Sequence, residues 1–234
     1  MKIAVIGAGH AGVEAAVAAA AGGAEVDLFS NEAVPPYFRP RLIAVACGQA
    51  EPGAIGMHPE EWYGQKGVRL HLETPVVVFD PDSRRVVCKA TDDAYDAVVL
   101  ACGSLPILPR IEGLADGMPV SPLWTMRDAL ALRGRIAAGV RVLVIGGGVL
   151  GVEAALRAAE AGARPVLVER LPRLLGTVLG ATAAAALLEQ TVAAGVEVRC
   201  GRSVLMFRRE ASGAVTAVLD DGAKVEADWV ICSI

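Results

Sequence analysis

The hydrophobic pattern begins with a short apolar run at residues 3–6, followed by glycines and an alanine-rich stretch without proline. An apolar run of this length predicts a buried strand, and the alanine-rich stretch predicts a helix over residues 10–21. Two glycines at 22–23 end this helix, and a second strand is predicted over residues 25–29. The same order recurs from residues 142–145 onward, so the chain contains two strand–helix–strand openings of one kind.

A constant offset of 139 residues superposes the two glycine-rich stretches. Gly12 then falls on Gly151 and Ser30 falls on Glu169, and 12 of the 24 positions in residues 7–30 are identical. An internal repeat of this length indicates two copies of one supersecondary unit. We therefore expect two nucleotide-binding βαβ units.

The first glycine stretch fits the G-x-G-x-x-G fingerprint of a dinucleotide-binding turn. Gly7 permits the tight turn, Gly9 lets the backbone approach a pyrophosphate, and Gly12 lets the helix pack closely on the strand. The free N–H groups at the start of the helix favour an anion. A glycine-rich turn in an ordinary α/β protein is the alternative interpretation. The candidate binding residues of this copy are Gly7, Ala8, Gly9, His10, Ala11 and Gly12, followed by Ser30 and Asn31.

Ser30 ends the second strand of the first unit, where such units usually carry a carboxylate that binds the ribose. Glu32 lies two residues later and could replace that carboxylate through the loop. A solvated loop glutamate is the alternative for Glu32.

The second glycine stretch ends its second strand on Glu169, with Arg170 directly after it. A carboxylate there can accept hydrogen bonds from both ribose hydroxyls of NAD and would repel the 2′-phosphate of NADP. Arg170 acts in the opposite sense, because an arginine can bind that phosphate. The pattern favours NADH over NADPH. The candidate binding residues of this copy are Gly146, Gly148, Val149, Leu150, Gly151, Glu169 and Arg170.

Composition excludes several classes of protein. Hydrophobic residues make up 54% and charged residues 21% of 234, which excludes a disordered chain. A net charge of −4 without a basic run predicts no nucleic-acid partner. No apolar stretch is long enough for a membrane span, and the first strand leaves no room for a signal peptide. Five cysteines without a C-x-x-C pair argue against disulfides, a zinc site or a redox dithiol, so we expect a cytoplasmic protein without a metal.

Two further segments carry a resemblance to a known family. Residues 34–42 read V-P-P-Y-F-R-P-R-L, and residues 95–106 read Y-D-A-V-V-L-A-C-G-S-L-P. They resemble the P-Y-x-R-P-x-L and Y-D-x-L-V-I-A-T-G-S-x-P segments of the FAD- and NAD(P)-dependent pyridine nucleotide-disulfide oxidoreductases. The resemblance is to the branch that holds the ferredoxin and rubredoxin reductases and the flavin region of the nitrite reductase large subunit. It covers essentially the whole chain.

The resemblance implies an α/β fold of two three-layer, Rossmann-like dinucleotide-binding units with a small antiparallel β-meander. It implies an FAD-binding domain at residues 1–110 and an NAD(P)H-binding domain at residues 111–234. Residues 76–79, 84–89 and 97–101 alternate or run apolar, which predicts a three-stranded antiparallel excursion.

The resemblance also implies roles for residues around the FAD. It places Arg39 at the adenosine and pyrophosphate side, although a surface arginine stacked on an aromatic neighbour is the alternative. It places the backbone of Val77 against the adenine. The segment that brings the chain back to the FAD contains Ala101, Cys102 and Gly103, where Cys102 replaces the usual threonine.

Two more expectations concern the flavin surroundings. Glu153 matches a glutamate that lies beside the nicotinamide and flavin in many relatives, while a helix glutamate at the domain interface is the alternative. The family often has Ser-Lys where this chain has Ile43-Ala44, which removes a cation near the flavin. Cys47 is interpreted as a small buried hydrophobe, with an active thiol as the alternative.

Downstream of the crossing between the domains, a helix is predicted to open at residues 123–129 and to end near Gly139.

The function expected from this resemblance is hydride transfer from NADH to FAD, followed by electron transfer to an unidentified acceptor, either a redox protein or a partner subunit. No Cys-His or Ser-His-Asp arrangement is evident, so we expect flavin-mediated chemistry without a side-chain nucleophile. The chain stops before the family's FAD-return segment, so a truncated or split-subunit module that needs a further segment or partner is the alternative. A single-nucleotide dehydrogenase with a decayed second site is a third interpretation.

Overall fold

The computed structural model describes residues 1–234. Its helices and strands, in chain order, are β1 Lys2–Ile6, α1 His10–Ala21, β2 Glu25–Phe29, α2 Leu42–Ala46, α3 Glu60–Gln65, β3 Val68–His71, β4 Val78–Asp80, β5 Arg85–Val87, β6 Asp92–Ala94, β7 Ala97–Leu100, β8 Val120–Ser121, α4 Met126–Leu132, β9 Arg141–Ile145, α5 Val149–Glu160, β10 Arg164–Glu169, α6 Ala181–Ala193, β11 Glu197–Cys200, β12 Val204–Arg209, β13 Val215–Leu219, β14 Lys224–Ala227 and β15 Trp229–Cys232. The predicted β1, α1 and β2 are confirmed.

The chain divides into two compact units. The first unit comprises residues 1–39 and 52–105, and the second comprises residues 40–51 and 106–234. The chain therefore passes from the first unit to the second and back before it crosses for the last time after Leu105.

A parallel sheet in the order β3-β2-β1-β7 forms the centre of the first unit. Strands β1 and β7 are apolar along nearly their whole length, as expected when both faces of a parallel sheet are covered. Val5 and Leu28 are fully buried, and they pack with Val13 and Ala16 of α1. Helix α1 covers one face because its alanines let the helix approach the sheet closely.

An antiparallel sheet in the order β4-β5-β6 follows β3 in the chain. The sequence prediction of its third strand is wrong. Residues 97–101 were expected in this sheet, but β7 pairs in parallel with β1, and the third strand is β6. Two acidic residues, Asp92 and Asp93, are tolerated in β6 because all three residues of this strand are exposed. Arg85 binds Asp92 through two hydrogen bonds of 2.7 and 2.8 Å, and both side chains are exposed.

The second unit repeats this plan. Its parallel strands run β11-β10-β9-β15-β8, and its antiparallel sheet runs β12-β13-β14. In both units the antiparallel sheet lies in the chain between the third parallel strand and the strand that returns beside the first. The repeat thus extends over the whole unit. The core of the second unit is built around the fully buried Leu143, Val215, Ala217 and Val230.

Helix α4 is shorter than the sequence predicted. It begins at Met126 because Thr125 caps it: the Thr125 hydroxyl accepts the Asp128 N–H at 3.2 Å, and the Asp128 carboxylate accepts the Thr125 N–H at 2.8 Å. This capping box satisfies two amides that a helix start leaves unpaired. The helix ends at Leu132 because Arg133 turns to an extended conformation and Gly134 has a φ of +77°.

Residues 40–51 pack within the second unit although they lie between two segments of the first. Four residues of α2 are buried against α4 and α5: Leu42, Ile43, Val45 and Ala46. Arg133 donates to the Ala50 carbonyl at 3.2 Å and pairs with Glu51. Gln49 donates to the Arg157 carbonyl at 3.2 Å. Helix α2 therefore packs against α5, the helix that follows the glycine-rich stretch at residues 146–148.

Candidate dinucleotide sites

The first glycine loop joins β1 to α1, and two of its three fingerprint glycines are required by the chain itself. Gly7 has a φ of +107°, and a Cβ added to it would lie 2.2 Å from the Ala101 carbonyl oxygen. A Cβ on Gly12 would lie 1.8 Å from the Gly7 carbonyl oxygen. A Cβ on Gly9 would meet nothing within 4 Å. The middle glycine therefore faces open space, where a ligand can approach the backbone.

The second loop, between β9 and α5, has the same geometry. Gly146 has a φ of +106°, and its added Cβ would lie 2.1 Å from the Ser233 carbonyl oxygen. A Cβ on Gly151 would lie 1.9 Å from the Gly146 carbonyl oxygen, and one on Gly148 would meet nothing within 4 Å. Both loops are thus built alike, and both leave their middle glycine open.

Each loop leads into a helix whose first backbone amides have no side-chain acceptor. Gly9 and Gly148 are the N-caps of α1 and α5, and neither helix start has a side-chain cap. The first amides of an α-helix have no partner within the helix, so here they are available to an anion. They belong to His10, Ala11 and Gly12 in the first loop and to Val149, Leu150 and Gly151 in the second. The geometry fits the pyrophosphate of a dinucleotide at each loop.

Most of the candidate residues of the first unit meet at the carboxyl ends of its parallel strands. The Gly7 N–H donates to the Phe29 carbonyl at 3.0 Å, and the Ala101 N–H donates to the Ile6 carbonyl at 2.8 Å. Ala8 is the second residue of this loop, and Ser30 directly follows Phe29. Val77 lies outside the group, next to β4, with 71% of its surface exposed.

Three other candidates of the first unit are open to solvent at the same edge. Asn31 follows Ser30, and Cys102 and Gly103 follow Ala101. Cys102 packs close to the loop, since a Cβ on Gly7 would lie 3.0 Å from the Cys102 Cα.

Glu32 links the end of β2 to the proline-rich segment. Its backbone N–H donates to the Ser30 hydroxyl at 3.1 Å. Its carboxylate accepts the Tyr37 hydroxyl at 2.8 Å and the Arg39 guanidinium at 2.9 Å. The guanidinium also lies 5.3 Å from the centroid of the Tyr37 ring. Arg39 is therefore held at the strand edge that carries Ser30, an arrangement that sequence reasoning missed because Glu32 was considered alone.

Phe38 adds a contact between this segment and the glycine loop, since its ring lies 5.0 Å from that of His10.

Both carboxylate oxygens of Glu169 accept hydrogen bonds from backbone amides. Oε1 accepts the Leu171 N–H at 2.6 Å, and Oε2 accepts the Gly147 N–H. A Cβ on Gly147 would lie 2.9 Å from the Cβ and Cγ of Glu169. The Glu169 side chain therefore lies against the glycine loop, and it leaves no room for a side chain at Gly147. Arg170, at the tip of the turn that Glu169 closes, is exposed.

Glu153 lies on α5 one turn after the loop, and its side chain is half-exposed. It is 4.0 Å from Arg157, which also pairs with Glu160 at 3.1 Å. These ion pairs lie on the solvent side of α5, and they hold Glu153 only weakly.

A polar cluster that the sequence did not predict lies on one face of the first unit's parallel sheet. The buried Asp27 carboxylate binds Arg69 through two hydrogen bonds of 2.8 and 2.9 Å. It lies 2.7 Å from His71 Nε2 and accepts the Tyr95 hydroxyl at 3.2 Å. Burial raises the pKa of Asp27, but the hydrogen bonds from Arg69 and His71 outweigh burial and lower that pKa to about 2.

The remaining titratable groups point to no further site. Cys47 is buried, as predicted, and burial raises the pKa of its thiol to about 12. None of the five cysteines is disulfide-bonded. No group of three or more His, Cys, Asp or Glu side chains is arranged to hold a metal ion. No helix combines the length and apolar character that crossing a membrane requires.

The family model described as "Pyridine nucleotide-disulphide oxidoreductase" matches residues 1–234. Among curated proteins, the chain is 31% identical to a "Rubredoxin-NAD(+) reductase" of Ectopseudomonas oleovorans over 238 residues. That match covers 100% of this chain and 62% of the relative. The chain thus spans about three fifths of the length of the curated relatives it matches.

Solved structures give the same fold. A covalent putidaredoxin reductase–putidaredoxin complex matches with a TM-score of 0.90 at 27% identity, covering 100% of this chain and 58% of the other. A water-forming NADH oxidase from Lactobacillus brevis bound to NADH matches with a TM-score of 0.89 at 26% identity, covering 100% and 53%. A variant of that oxidase with five substitutions has been solved with NADPH, with the same TM-score and identity and coverage of 100% and 54%.

Proposed function

We propose, on the premise that the chain belongs to the pyridine nucleotide-disulphide oxidoreductase family, that it is the nucleotide-binding part of an FAD-dependent NADH oxidoreductase. The observation that carries the proposal is the presence of two glycine loops of equal geometry in one chain. Each loop leaves its middle glycine open and its helix amides unpaired. Two such loops suit two dinucleotides, as a reaction between a nicotinamide and a flavin cofactor requires.

We assign FAD to the first unit and NADH to the second, with domains over about residues 1–110 and 111–234, apart from residues 40–51, which pack within the second unit. The units differ where a ribose is recognised: Ser30 ends β2, whereas Glu169 ends β10. A carboxylate at that position suits the two free hydroxyls of an NADH ribose. The first unit instead has Arg39, held by Glu32 at the same strand edge.

In this proposal, residues of this chain bind and orient the two cofactors. The first-turn amides of α1 hold the FAD pyrophosphate, with Arg39 at its adenosine side and the backbone of Val77 towards the adenine. The residues after β7, from Ala101 to Gly103, line the same edge. FAD, when bound, supplies a ring that accepts a hydride from NADH and releases electrons to an acceptor.

The second unit positions NADH. The first-turn amides of α5 hold its pyrophosphate and Glu169 accepts its ribose hydroxyls. Glu153 lies on the same helix, beside the expected path of the nicotinamide. Because no side chain is required as a nucleophile, the protein contributes by positioning the nucleotides and by the charges that it places around them.

The electron acceptor in this proposal is a redox protein. The support comes from relatives: a rubredoxin reductase is similar over the full chain, and a reductase solved in covalent complex with putidaredoxin shares the fold. We also propose a cytoplasmic location, which the absence of disulfides among five cysteines supports.

The test is reconstitution with FAD followed by anaerobic titration with NADH. We expect the 234-residue chain to bind FAD, seen as quenching of flavin fluorescence, and NADH to bleach the visible absorbance of the bound flavin. Gly9→Ala is expected to weaken FAD binding and Gly148→Ala to weaken NADH binding, because each places one methyl group in the open space of one loop. A folded chain that binds neither nucleotide would contradict the proposal.

A further inference from the structure

We propose that Glu73 supplies the carboxylate that binds the adenosine ribose in the first unit, where Ser30 leaves the usual strand end without one. Glu73 lies just after β3, the strand that pairs with β2. This assignment rests on the proposed FAD site of the first unit, and it adds a binding residue to that site.

Backbone hydrogen bonds bring Glu73 to the end of β2. The Glu73 N–H donates to the Glu32 carbonyl at 2.9 Å, and the Thr74 N–H donates to the Ser30 carbonyl at 2.7 Å. The Thr74 hydroxyl donates to the Leu72 carbonyl at 2.7 Å, which further holds the turn. Residue 73 therefore lies beside the position from which a dinucleotide-binding unit usually presents its ribose carboxylate.

The second unit forms the same turn with a glycine. The Gly201 N–H donates to the Leu171 carbonyl at 2.8 Å, and the Arg202 N–H donates to the Glu169 carbonyl at 3.0 Å. The two acceptors lie 139 residues after those of the first unit, which is the offset that superposes the two glycine-rich stretches. Gly201 is therefore the counterpart of Glu73.

This position has a left-handed backbone in both units. Gly201 has a φ of +69°, and Glu73 has a φ of +48°. Glycine adopts such a φ without strain, whereas any other residue does so at a cost, because its Cβ crowds the following carbonyl oxygen. Strained backbone of this kind is concentrated at binding sites. Since a glycine would form the turn more easily, the glutamate there points to a function of its side chain.

The Glu73 carboxylate is available to a ligand. The side chain is exposed, and it forms no hydrogen bond and no ion pair. The Glu32 carboxylate, by contrast, already accepts the Tyr37 hydroxyl and the Arg39 guanidinium. Because ribose hydroxyls donate and an ionised carboxylate only accepts, an unengaged carboxylate at this edge suits the hydroxyls of the adenosine ribose.

The two units thus carry a carboxylate on different strands at the same edge of the sheet. The second unit has Glu169 at the end of β10 and Gly201 after β11. The first unit has Ser30 after β2 and Glu73 after β3. In each unit the two strands are paired neighbours. The first unit therefore presents its ribose carboxylate from the adjacent strand.

The test measures dissociation constants by quenching of flavin fluorescence, for FAD and for an FAD analogue whose adenosine lacks the 2′- and 3′-hydroxyls. Wild type should bind FAD at least about tenfold more tightly than the analogue. Glu73→Gly should weaken FAD binding at least about tenfold and bind the analogue as wild type does. Glu73→Gln should also weaken FAD binding, because a neutral amide accepts a hydroxyl less strongly. Loss of a nearby negative charge alone would instead tighten the binding of an anionic nucleotide.

Two controls separate ribose binding from folding and from general charge. Glu73→Gly should not lower the urea midpoint of unfolding, because glycine relieves the left-handed backbone. A lower midpoint would assign Glu73 to the fold and overturn the inference. Glu61→Gln removes another exposed carboxylate of the same unit, in the first turn of α3, and should leave the dissociation constant of FAD unchanged.

The outcomes distinguish this inference from the proposed function. A wild type that binds FAD and the analogue equally, or Glu73→Gly and Glu73→Gln variants that bind FAD as tightly as wild type, would overturn the inference alone. A Glu73→Gly variant that still discriminates between FAD and the analogue would also overturn it, because another group would then bind the ribose. A wild type that binds no FAD would overturn the proposed FAD site and the inference with it.

Discussion

Gly12 packs so closely on Gly7 that a Cβ on Gly12 would lie 1.8 Å from the Gly7 carbonyl oxygen. The same contact in the second unit, between Gly151 and Gly146, would measure 1.9 Å. Real Cβ atoms do not approach backbone oxygens this closely, so any side chain would force the helix away from the loop. The third glycine of each fingerprint is thus a requirement of folding, whereas the middle glycine is open to a ligand.

Gly12→Ala is therefore expected to lower the free energy of unfolding by at least about 2 kcal/mol, because backbone must move to admit the methyl group. Gly9→Ala should change it by less than about 1 kcal/mol, since Gly9 has a φ of −80° and open space around it. Urea unfolding followed by circular dichroism measures both. Equal losses in the two variants would show that the loop differs in solution.

Gly147 and Glu169 should show energetic coupling. Gly147→Ala brings a Cβ to 2.9 Å from the Cβ and Cγ of Glu169 and to 2.9 Å from Leu174 Cδ2, so we expect a loss of about 1–3 kcal/mol. The loss should be smaller in a Glu169→Ser background, since the first unit accommodates Ala8 beside Ser30. A double-mutant cycle of urea unfolding measures the coupling. Additive losses would contradict this packing relationship.

The parts of the fold that the sequence predicted are those determined by neighbours along the chain. The bounds of β1, α1 and β2 follow from an apolar run, a proline-free alanine stretch and two glycines, all of which act locally. The two glycine loops were found for the same reason. Because the chain contains an internal repeat, the assignment of the first glycine loop could be transferred to the second.

The parts that the sequence missed depend on partners far along the chain. Residues 97–101 were assigned to the wrong sheet because β7 is selected by pairing with β1, more than ninety residues away. Helix α2 belongs to the second unit because of the apolar surfaces of α4 and α5, which no local pattern reveals. A short apolar segment alone does not indicate which surface buries it.

The candidate sites divide in the same way. The loop residues were identified from spacing, whereas the pairing of Arg39 with Glu32 and the two backbone contacts of Glu169 required the fold. Asp27 was missed entirely. A lone aspartate in an apolar strand gives no signal until its partners Arg69 and His71 on the next strand are known.

Asp27→Asn is expected to lower the free energy of unfolding at neutral pH by about 2 kcal/mol, because the bonds to Arg69 and His71 lower the pKa of Asp27 from 3.8 to about 2. A carboxyl group whose pKa is lower in the folded state stabilises the protein above its unfolded pKa. This contribution is fully present above 3.8 and is lost as the pH falls towards about 2. The difference between wild type and variant should therefore shrink over that range.

Asp92→Asn is the matched control for Asp27→Asn. Asp92 also binds an arginine through two hydrogen bonds, but Arg85 and Asp92 are both exposed, and solvent screens such pairs. We expect no measurable loss of stability from this substitution. Urea unfolding at several pH values measures both variants, and similar losses would argue that burial of Asp27 has no special effect.

Tyr63 is expected to tolerate loss of its hydroxyl. Its side chain is 1% exposed, and its hydroxyl has no hydrogen-bond partner in the core of the first unit, where burial raises its pKa to about 12. Because a buried polar group without a partner costs stability, Tyr63→Phe should leave the free energy of unfolding unchanged or raise it by up to about 1 kcal/mol. Tyr95→Phe should lower it by about 1 kcal/mol, since the Tyr95 hydroxyl donates to Asp27 at 3.2 Å. Thermal and urea unfolding of the two variants give the comparison. A loss in Tyr63→Phe as large as that in Tyr95→Phe would show that the Tyr63 hydroxyl is hydrogen-bonded in solution.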